Sequence, residues 1–163
     1  MEKEQLMKKT SIVVVLLLVL LLNITILASC NIGSIEFNAT FSPIEGYDNI
    51  NLEIEFGNLF QSREELDKFY EKELFDNIDK ENELKKYDDT YFKNNSLLIV
   101  IFWGDKNCNK TVKKITQKNS QLWITVETGS MKEFNEIARF FIEVSKEDVS
   151  EVKEIDYKIV SIM

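Results

Sequence analysis

Apolar and polar residues alternate along the chain just after its long apolar N-terminal run. In IEFNATF (35–41) and again in LEIEF (52–56), every second residue is apolar. A period of two is typical of a strand that buries one face. Pro43 and Gly46 lie between the two segments, where they favour a turn. The pattern therefore predicts two strands joined as a hairpin.

The spacing of apolar residues changes to a helical period after residue 61. Ser62 and Glu65 form an S-x-x-E capping box, which marks the start of a helix. The apolar positions that follow at helical spacing are Leu66, Phe69, Tyr70 and Leu74. A second, shorter helix is predicted in ELKKYDDTYF, with Leu84, Tyr87 and Tyr91 on one face. The acidic segment DNIDKENE between the two helices is interpreted as a solvated connection.

The second half of the chain reads as a series of strands. LLIVIFW (97–103) is apolar without interruption, which is typical of a strand covered on both faces. Lys118-Asn119-Ser120 separates two alternating segments and predicts a hairpin turn. The remaining strand segments are TVKKITQ (111–117), LWITVET (122–128), ARFFIEVS (138–145) and residues 155–159. The order β-β-α-α-β-β-β-β-β predicts an α+β fold, a mainly antiparallel sheet with two helices packed on it.

The N-terminus resembles an export signal. Lys8 and Lys9 precede an apolar run that extends from Ser11 to Leu27, interrupted by Asn23 and Thr25. Leu27-Ala28-Ser29-Cys30 follows, and this ending resembles the bacterial lipobox. The resemblance implies cleavage before Cys30 and acyl chains attached at that residue. Two or three such chains hold a protein on a membrane far better than one.

These features predict a signal peptide over 1–29, a tether over 30–33 of at most about 15 Å, and one domain over 34–163. The domain is expected at the extracytoplasmic face of the cell membrane, anchored through the lipid on Cys30. An uncleaved transmembrane helix over 11–29 is the alternative. Both interpretations place the rest of the chain outside the cytoplasmic membrane.

The net charge and the absence of histidine exclude several classes of function. The chain carries a net charge of −8, and residues 1–29 contain three lysines and two glutamates, so the remainder carries −9. A strongly acidic domain repels nucleic-acid phosphate and anionic lipid head groups, so no nucleic-acid partner is expected. The chain has no histidine, which excludes the common histidine-based catalytic and metal sites. No cofactor, metal or catalytic residue is predicted.

The segment from about Ser62 to Tyr157 resembles the C-terminal domain of PrcB-family proteins. The similar pieces are SREEL, YDDTYFKNNSLLIVIF, QLWITVET and RFFIEVSKEDV. The Gly- or Ser-rich segment common after the family's central strand is GDKNCNKT here, with only Gly104 retained. The resemblance implies an accessory role, since the family's named member is an accessory lipoprotein of a surface protease complex. It implies no catalytic residues.

Two features of the GDKNCNKT loop have candidate chemistry. Asp105, Asn107 and Asn109 have the D-x-N-x-N spacing that opens a calcium loop. Lys110 stands where that loop needs glycine and Thr116 where it needs a bidentate glutamate, so a polar turn is predicted instead. Cys108 lies between two lysines but has no histidine as a base, so a loop thiol is predicted rather than a nucleophile.

Carboxylates and aromatic residues supply the other candidates. The pairs Glu64-Glu65, Asp88-Asp89 and Glu147-Asp148 are interpreted as solvated surface, because no spacing marks one carboxyl for acid–base catalysis. Phe141 and Trp123 point away from the expected core face. They are predicted to lie under the helices, with an exposed aromatic patch as the alternative. The other aromatic residues of this group are Trp103, Phe134 and Phe140.

The preferred hypothesis is a non-enzymatic, lipid-anchored protein that binds another envelope or secreted protein. A lipid-anchored solute- or ligand-binding protein is the alternative, although a single small domain leaves little room for a two-lobed cleft. An enzyme that uses only carboxylates ranks third. A pocket with converging polar groups favours ligand binding, whereas an exposed apolar surface favours a protein partner.

Overall fold

The computed structural model describes residues 33–44, 56–71 and 79–162. Within them the chain forms eight strands, two short α-helices and one 3₁₀ turn. In chain order they are β1 (Gly33–Ser34), β2 (Phe37–Phe41), β3 (Phe56–Phe60), α1 (Arg63–Phe69), α2 (Lys80–Glu83), the 3₁₀ turn (Tyr91–Lys93), β4 (Asn95–Gly104), β5 (Lys110–Lys118), β6 (Gln121–Thr128), β7 (Glu136–Ser145) and β8 (Glu154–Ser161).

The strands form two four-stranded sheets. Sheet I has the order β2-β7-β4-β3 and is antiparallel throughout. Sheet II has the order β1-β5-β6-β8, and only its β6–β8 pair is parallel. The predicted α+β class with mainly antiparallel strands and two helices is confirmed. The strands divide between two sheets because β7, which follows β6, crosses to sheet I before β8 returns to sheet II.

The central strand β4 separates two apolar cores. Its residues from 97 to 102 have no exposed surface, as the uninterrupted apolar run predicted. Successive side chains of a strand point to opposite faces. Leu97, Ile99 and Ile101 therefore belong to the core beneath the helices, and Leu98, Val100 and Phe102 belong to the core between the sheets. Helices, sheet I and sheet II thus form three layers.

The first helix begins where the capping box predicted. The Ser62 hydroxyl accepts a hydrogen bond from the Glu65 amide, and Leu66 and Phe69 are buried. The position predicted for the second helix, in ELKKYDDTYF (83–92), is wrong. The helix α2 covers Lys80–Glu83, which lies inside the segment interpreted as a connection. Leu84 and Tyr87 follow it in turns and are still buried beside the half-buried Tyr91. Burial of the apolar side chains was predicted, but the backbone that achieves it was not.

The hairpin β5–β6 is confirmed. Asn119 in its turn has φ of 57°, a left-handed conformation that asparagine tolerates well. A bulge between Val112 and Lys114 shifts the register of β5 against β6. Because of the bulge, Lys113 and Lys114 are both exposed although they are consecutive, while Val112 and Ile115 on either side are buried.

The predicted hairpin between residues 35–41 and 52–56 stays a prediction, because only Phe56 of the second segment lies within the described residues. β2 pairs with β7 and β3 pairs with β4, so these two short strands lie at opposite edges of sheet I. The two long apolar strands β4 and β7 occupy the centre of the sheet, where both faces are covered. Residues 45–55, which hold Gly46 and most of LEIEF, lie outside the described residues.

Candidate functional site

Cys30 and the apolar run 11–29 lie outside the described residues. Their predicted acylation and cleavage therefore stay predictions. Across the described segments, no helix is long and apolar enough to cross a membrane. Gly33, the third residue after Cys30, is the first residue of β1 and pairs with Gln117 of β5. Gly33, the first described residue after Cys30, thus lies at the β1 edge of sheet II.

The loop that follows β4 is organised by the carboxylate of Asp105, which is 2% exposed. Oδ1 accepts the backbone amide of Asn107 at 2.9 Å. Oδ2 accepts the amides of Lys132 at 3.0 Å and Glu133 at 3.3 Å. Hydrogen bonds from the Lys132 and Asn107 amides hold the pKa of Asp105 down at about 2. The first residue of the candidate calcium loop therefore serves to join two loops.

An ammonium group fills the interior of the same loop. Lys110 Nζ donates to the carbonyl oxygens of Asp105 at 2.6 Å and Cys108 at 3.0 Å, and forms an ion pair with Glu136. The backbone of Gly104 makes room for it, since a Cβ there would lie 2.6 Å from Lys110 Cε. The predicted polar turn is thus built around its own cation. In the parts of the chain that are described, no three acidic, histidine or cysteine side chains are grouped to hold a metal.

Cys108 is a half-buried free thiol in this loop. Its Sγ donates to the carbonyl oxygen of Ser130 at 3.2 Å. Partial desolvation and the nearby Asp105 carboxylate raise the pKa of the thiol. A raised pKa disfavours the thiolate, which is the nucleophilic form. The geometry therefore favours a loop thiol over a reactive one.

A buried arginine forms a second polar cluster that the sequence reasoning missed. Arg139 in β7 is 1% exposed. Its five hydrogen bonds go to Ser42, Tyr70 and Glu83, including 2.9 Å from Nη1 to the Tyr70 hydroxyl and 3.0 Å from Nη1 to Glu83 Oε2. The guanidinium also lies 4.7 Å from the centre of the Phe141 ring. The available signal was a charged residue, Arg139, inside the otherwise apolar run ARFFI (138–142).

The Arg139 cluster joins segments that are distant in sequence. Ser42 follows β2, Tyr70 caps α1 and Glu83 ends α2, so one side chain ties both helices and an edge strand to β7. The Tyr70 hydroxyl donates to Glu83 Oε2 at 3.0 Å. Burial raises the pKa of Tyr70 far above its ordinary value, which keeps the phenol protonated. The side chains satisfy one another, which favours a structural role.

The paired carboxylates lie on the surface or accept hydrogen bonds from backbone amides near the start of a helix. Glu64 forms an exposed ion pair with Lys68 at 2.6 Å, and the hydrogen bond from Lys68 lowers the pKa of Glu64. Glu65 accepts the Gln61 amide at 2.8 Å, and Asp88 accepts the Tyr91 amide at 2.8 Å. The three remaining carboxylates of these pairs, Asp89, Glu147 and Asp148, are exposed. These positions agree with the interpretation as solvated surface.

The candidate aromatic residues divide between core and surface. Phe140 and Phe141 are buried in the two cores, and Trp103 is half-buried against the core beneath the helices. Phe141 therefore lies under the helices as predicted. Trp123 does not, because it is 41% exposed on the open face of sheet II. Phe134 is the most exposed of the described aromatic side chains, at 66%.

The loop that carries Phe134 is fixed on both sides. The Glu133 amide donates to Asp105, and the Asn135 amide donates to the Gly104 carbonyl at 2.9 Å. Asn135 Oδ1 also accepts the Lys106 amide at 2.9 Å. The exposure of the Phe134 ring is therefore imposed by an ordered backbone. Aromatic side chains are among the residues that contribute most to protein interfaces, so this ring is a candidate contact for a partner.

A groove of about 470 Å³ lies beside the outer edge of β3. Its walls come from β3 and from the segment that enters β8, which approach closely at Gly57, where a Cβ would lie 2.9 Å from Ile155. Its lining residues are Gly57, Asn58, Leu59, Gln61, Glu65, Val152, Lys153 and Ile155. The volume suits a small ligand, but the groove is open and mostly polar.

No family model, no curated protein and no solved structure matches the chain. The resemblance to PrcB-family proteins thus rests on the sequence segments that carry it. The candidate surfaces rest on their geometry.

Proposed function

We propose that the protein is a non-enzymatic, lipid-anchored accessory protein that binds another envelope or secreted protein. The lipobox-like ending at Cys30 supports the anchor and the extracytoplasmic location. The segments similar to PrcB-family proteins support an accessory role. The two buried polar clusters support a binding role over catalysis, because Asp105, Lys110 and Arg139 are hydrogen bonded within the domain.

The observation that carries the proposal is the exposed ring of Phe134 on an ordered loop. Binding energy in protein interfaces is concentrated in a few aromatic and arginine side chains that fill pockets of the partner. A contact residue whose backbone is already ordered loses less conformational freedom on binding. Phe134 meets both conditions, because its loop is held by Asp105 and Gly104. The tether then confines this loop to partners at the same membrane.

The test is crosslinking in intact cells followed by mass spectrometry. The wild-type chain should incorporate labelled fatty acid and crosslink reproducibly to a protein partner. Cys30→Ala should abolish both the label and processing before residue 30. Phe134→Ala should keep the label but reduce the amount of crosslinked partner by about tenfold or more. Truncating a central interface residue costs about 1–2 kcal/mol of binding free energy or more.

The matched control is Ile162→Ala, because Ile162 is 55% exposed and lies outside the Phe134 loop. This variant should crosslink like the wild type. Fatty acid incorporated by Cys30→Ala would refute the anchor. Equal crosslinking of the Phe134→Ala and wild-type chains would refute the assignment of the binding surface.

Ligand binding is the second candidate, and the groove beside β3 is the observation that favours it. Its volume of about 470 Å³ falls in the range of small-molecule sites. Glu65 and Lys153 place both signs of charge on its wall. A small molecule that copurifies with the wild-type protein but not with Lys153→Glu, which reverses the charge of an exposed residue on the groove wall, would favour this function over a protein partner.

A further inference from the structure

Exposed lysines are grouped along one edge of the domain. The edge consists of β1, β2 and β5, with β1 paired to β5 and β2 contacting β5 across the two sheets. We call it the anchor-side edge, because β1 begins three residues after Cys30. Among the described residues, the exposed cations of this edge are Lys113, Lys114 and Lys118, and the exposed acid is Glu36, which lies between β1 and β2. A chain with a net charge of −9 beyond residue 29 thus carries a positive edge.

The bulge in β5 concentrates this charge. In a regular strand, consecutive side chains point to opposite faces, so one of Lys113 and Lys114 would point inward. The shifted register exposes both. Lys113 forms an ion pair with Glu127 at 3.0 Å, with 53% of the lysine side chain still exposed. The fourth lysine of the strand, Lys110, is buried in its loop and adds nothing to the surface.

Uncharged residues complete the edge. β2 has the sequence FNATF, and its residues 38–41 are exposed without a single charge. The Phe41 ring is 38% exposed, and Trp123 is exposed on the adjoining face of sheet II. Lysines attract anionic head groups, while tryptophan side chains favour the membrane–water boundary. This combination of groups is suited to the surface of a bilayer.

The short tether selects this edge over every other surface. Gly33 lies opposite Gln117, beside Lys118. Three residues span at most about 10 Å, so a lipid on Cys30 would keep β1 that close to the head groups. Charges more than about 8 Å away are screened at physiological salt, so the lysines at the edge outweigh the distant acidic residues.

We propose that the anchor-side edge of the domain rests on the anionic phospholipid surface of the membrane that holds Cys30. The inference deepens the proposed function and rests on its lipid anchor for the distance to the bilayer. The inference gives the domain an orientation on the membrane. The strands β1, β2 and β5 face the lipid, while β3 and β8, at the opposite edges of their sheets, face away from it. The total negative charge of the domain does not decide its interaction with lipid.

The test is lysine footprinting of the full-length acylated protein reconstituted in vesicles. One set of vesicles contains phosphatidylglycerol and phosphatidylcholine in equal amounts, and the other contains phosphatidylcholine alone. An impermeant amine-reactive reagent is followed by mass spectrometry. Lys113, Lys114 and Lys118 should react about fivefold or more slowly in the anionic vesicles, because each lysine near such a surface gains about a factor of five in binding. High salt should remove the protection.

Lys85 and Lys93, which are exposed on the helix side of sheet I, are the internal controls and should react equally in both vesicles. Lys114→Glu/Lys118→Glu should abolish the protection of Lys113, whereas Lys85→Glu/Lys93→Glu should leave it unchanged. Equal labelling of the edge lysines in both vesicles, in a protein with confirmed acylation, would overturn the inference. Protection in native membranes but not in anionic vesicles would also overturn it, because a protein would then cover the edge.

The failure of the anchor and the failure of the inference are distinguishable. Acylation is read from the mass of the Cys30 peptide in the same experiment. If the signal is instead retained as a transmembrane helix, the same three residues link it to β1, and the lysine comparison still tests the edge.

Discussion

Lys110 and Arg139 carry their positive charges into the interior, where each side chain is only 1% exposed. Neither burial was predicted, because lysine and arginine are rarely buried unless paired, and their partners come from distant parts of the chain. Arg139 finds Glu83, 56 positions away, and Lys110 finds Glu136, 26 positions away. The Asp105 loop was predicted to be a polar turn because Lys110 and Thr116 stand where a calcium loop needs glycine and a bidentate glutamate.

Asp105 predicts a pH dependence of stability. Its folded pKa of about 2 lies below the ordinary value of about 3.9 in an unfolded chain. The ionised carboxylate therefore stabilises the fold above pH 4, and this contribution is lost as the pH falls toward 2. Asp105→Asn should be less stable than the wild type near neutral pH, because one amide oxygen replaces a carboxylate that accepts three backbone amides. The difference should shrink in acid.

Urea unfolding of both proteins between pH about 7 and about 3 measures this convergence. Asp89→Asn is the control, since Asp89 is exposed, and it should follow the wild type at every pH. A constant difference between Asp105→Asn and the wild type across this range would contradict the role of the ionised carboxylate.

At the scale of elements, the spacing of apolar residues predicted which side chains are buried. It failed to predict the secondary structure where more than one backbone conformation can bury the same side chains. β4 and the hairpin β5–β6 follow from uninterrupted and alternating apolar residues. Leu84, Tyr87 and Tyr91 have helical spacing, yet turns and a 3₁₀ segment bring the same side chains to the core. A segment this short gains little from helical hydrogen bonds, so burial fixes its side chains and leaves its backbone to the surrounding structure.

β4 should be the most stable element of the domain. Its amides open only when both cores open, so they should exchange with solvent far more slowly than the amides of the edge strand β2. Ile99→Ala should destabilise the protein by about 2–5 kcal/mol, because Ile99 is fully buried beneath the helices. Thr40→Ala, at an exposed position of β2, is the control and should change stability by less than about 0.5 kcal/mol.

Hydrogen exchange by mass spectrometry and urea unfolding give the two measurements. Exchange in β4 as fast as in β2 would show that β4 does not span both cores. A small effect of Ile99→Ala would show that the layer of helices contributes little to stability.

At the scale of the molecule, the class was predicted but the arrangement of strands was not. β6, β7 and β8 follow one another through short connections, which suggested neighbours in one sheet. The chain instead alternates between sheets, so β6 and β8 become parallel neighbours in sheet II. The choice depends on which apolar faces meet across the interior, and local periodicity does not encode that. The exposure of Phe134 likewise depends on hydrogen bonds to a distant loop.

The Arg139 cluster should control the attachment of the helix layer to sheet I. Arg139→Met should destabilise the protein by about 3–5 kcal/mol, because it leaves the largely buried Glu83 carboxylate without its counter-ion. Adding Glu83→Met should recover part of the loss. The matched control is the pair Lys86–Glu143, whose lysine is 55% exposed, and Lys86→Met should cost about 0–1 kcal/mol.

Urea unfolding of the two single variants and the double variant gives the coupling energy between Arg139 and Glu83. A coupling no larger than that of the Lys86–Glu143 pair would contradict the structural role of the cluster.

The ammonium of Lys110 has a consequence for the conditions in which the protein can work. A loop that needs a dissolved cation keeps its shape only while that cation is abundant, so its occupancy follows the medium. Here the cation is the ammonium of a side chain. Its local concentration is set by the four-carbon side chain of Lys110 and not by the concentration of ions in the medium. At the proposed extracytoplasmic location the mineral content changes and chelators can be present. The shape of the Asp105 loop, and with it the position of Phe134, should be insensitive to both.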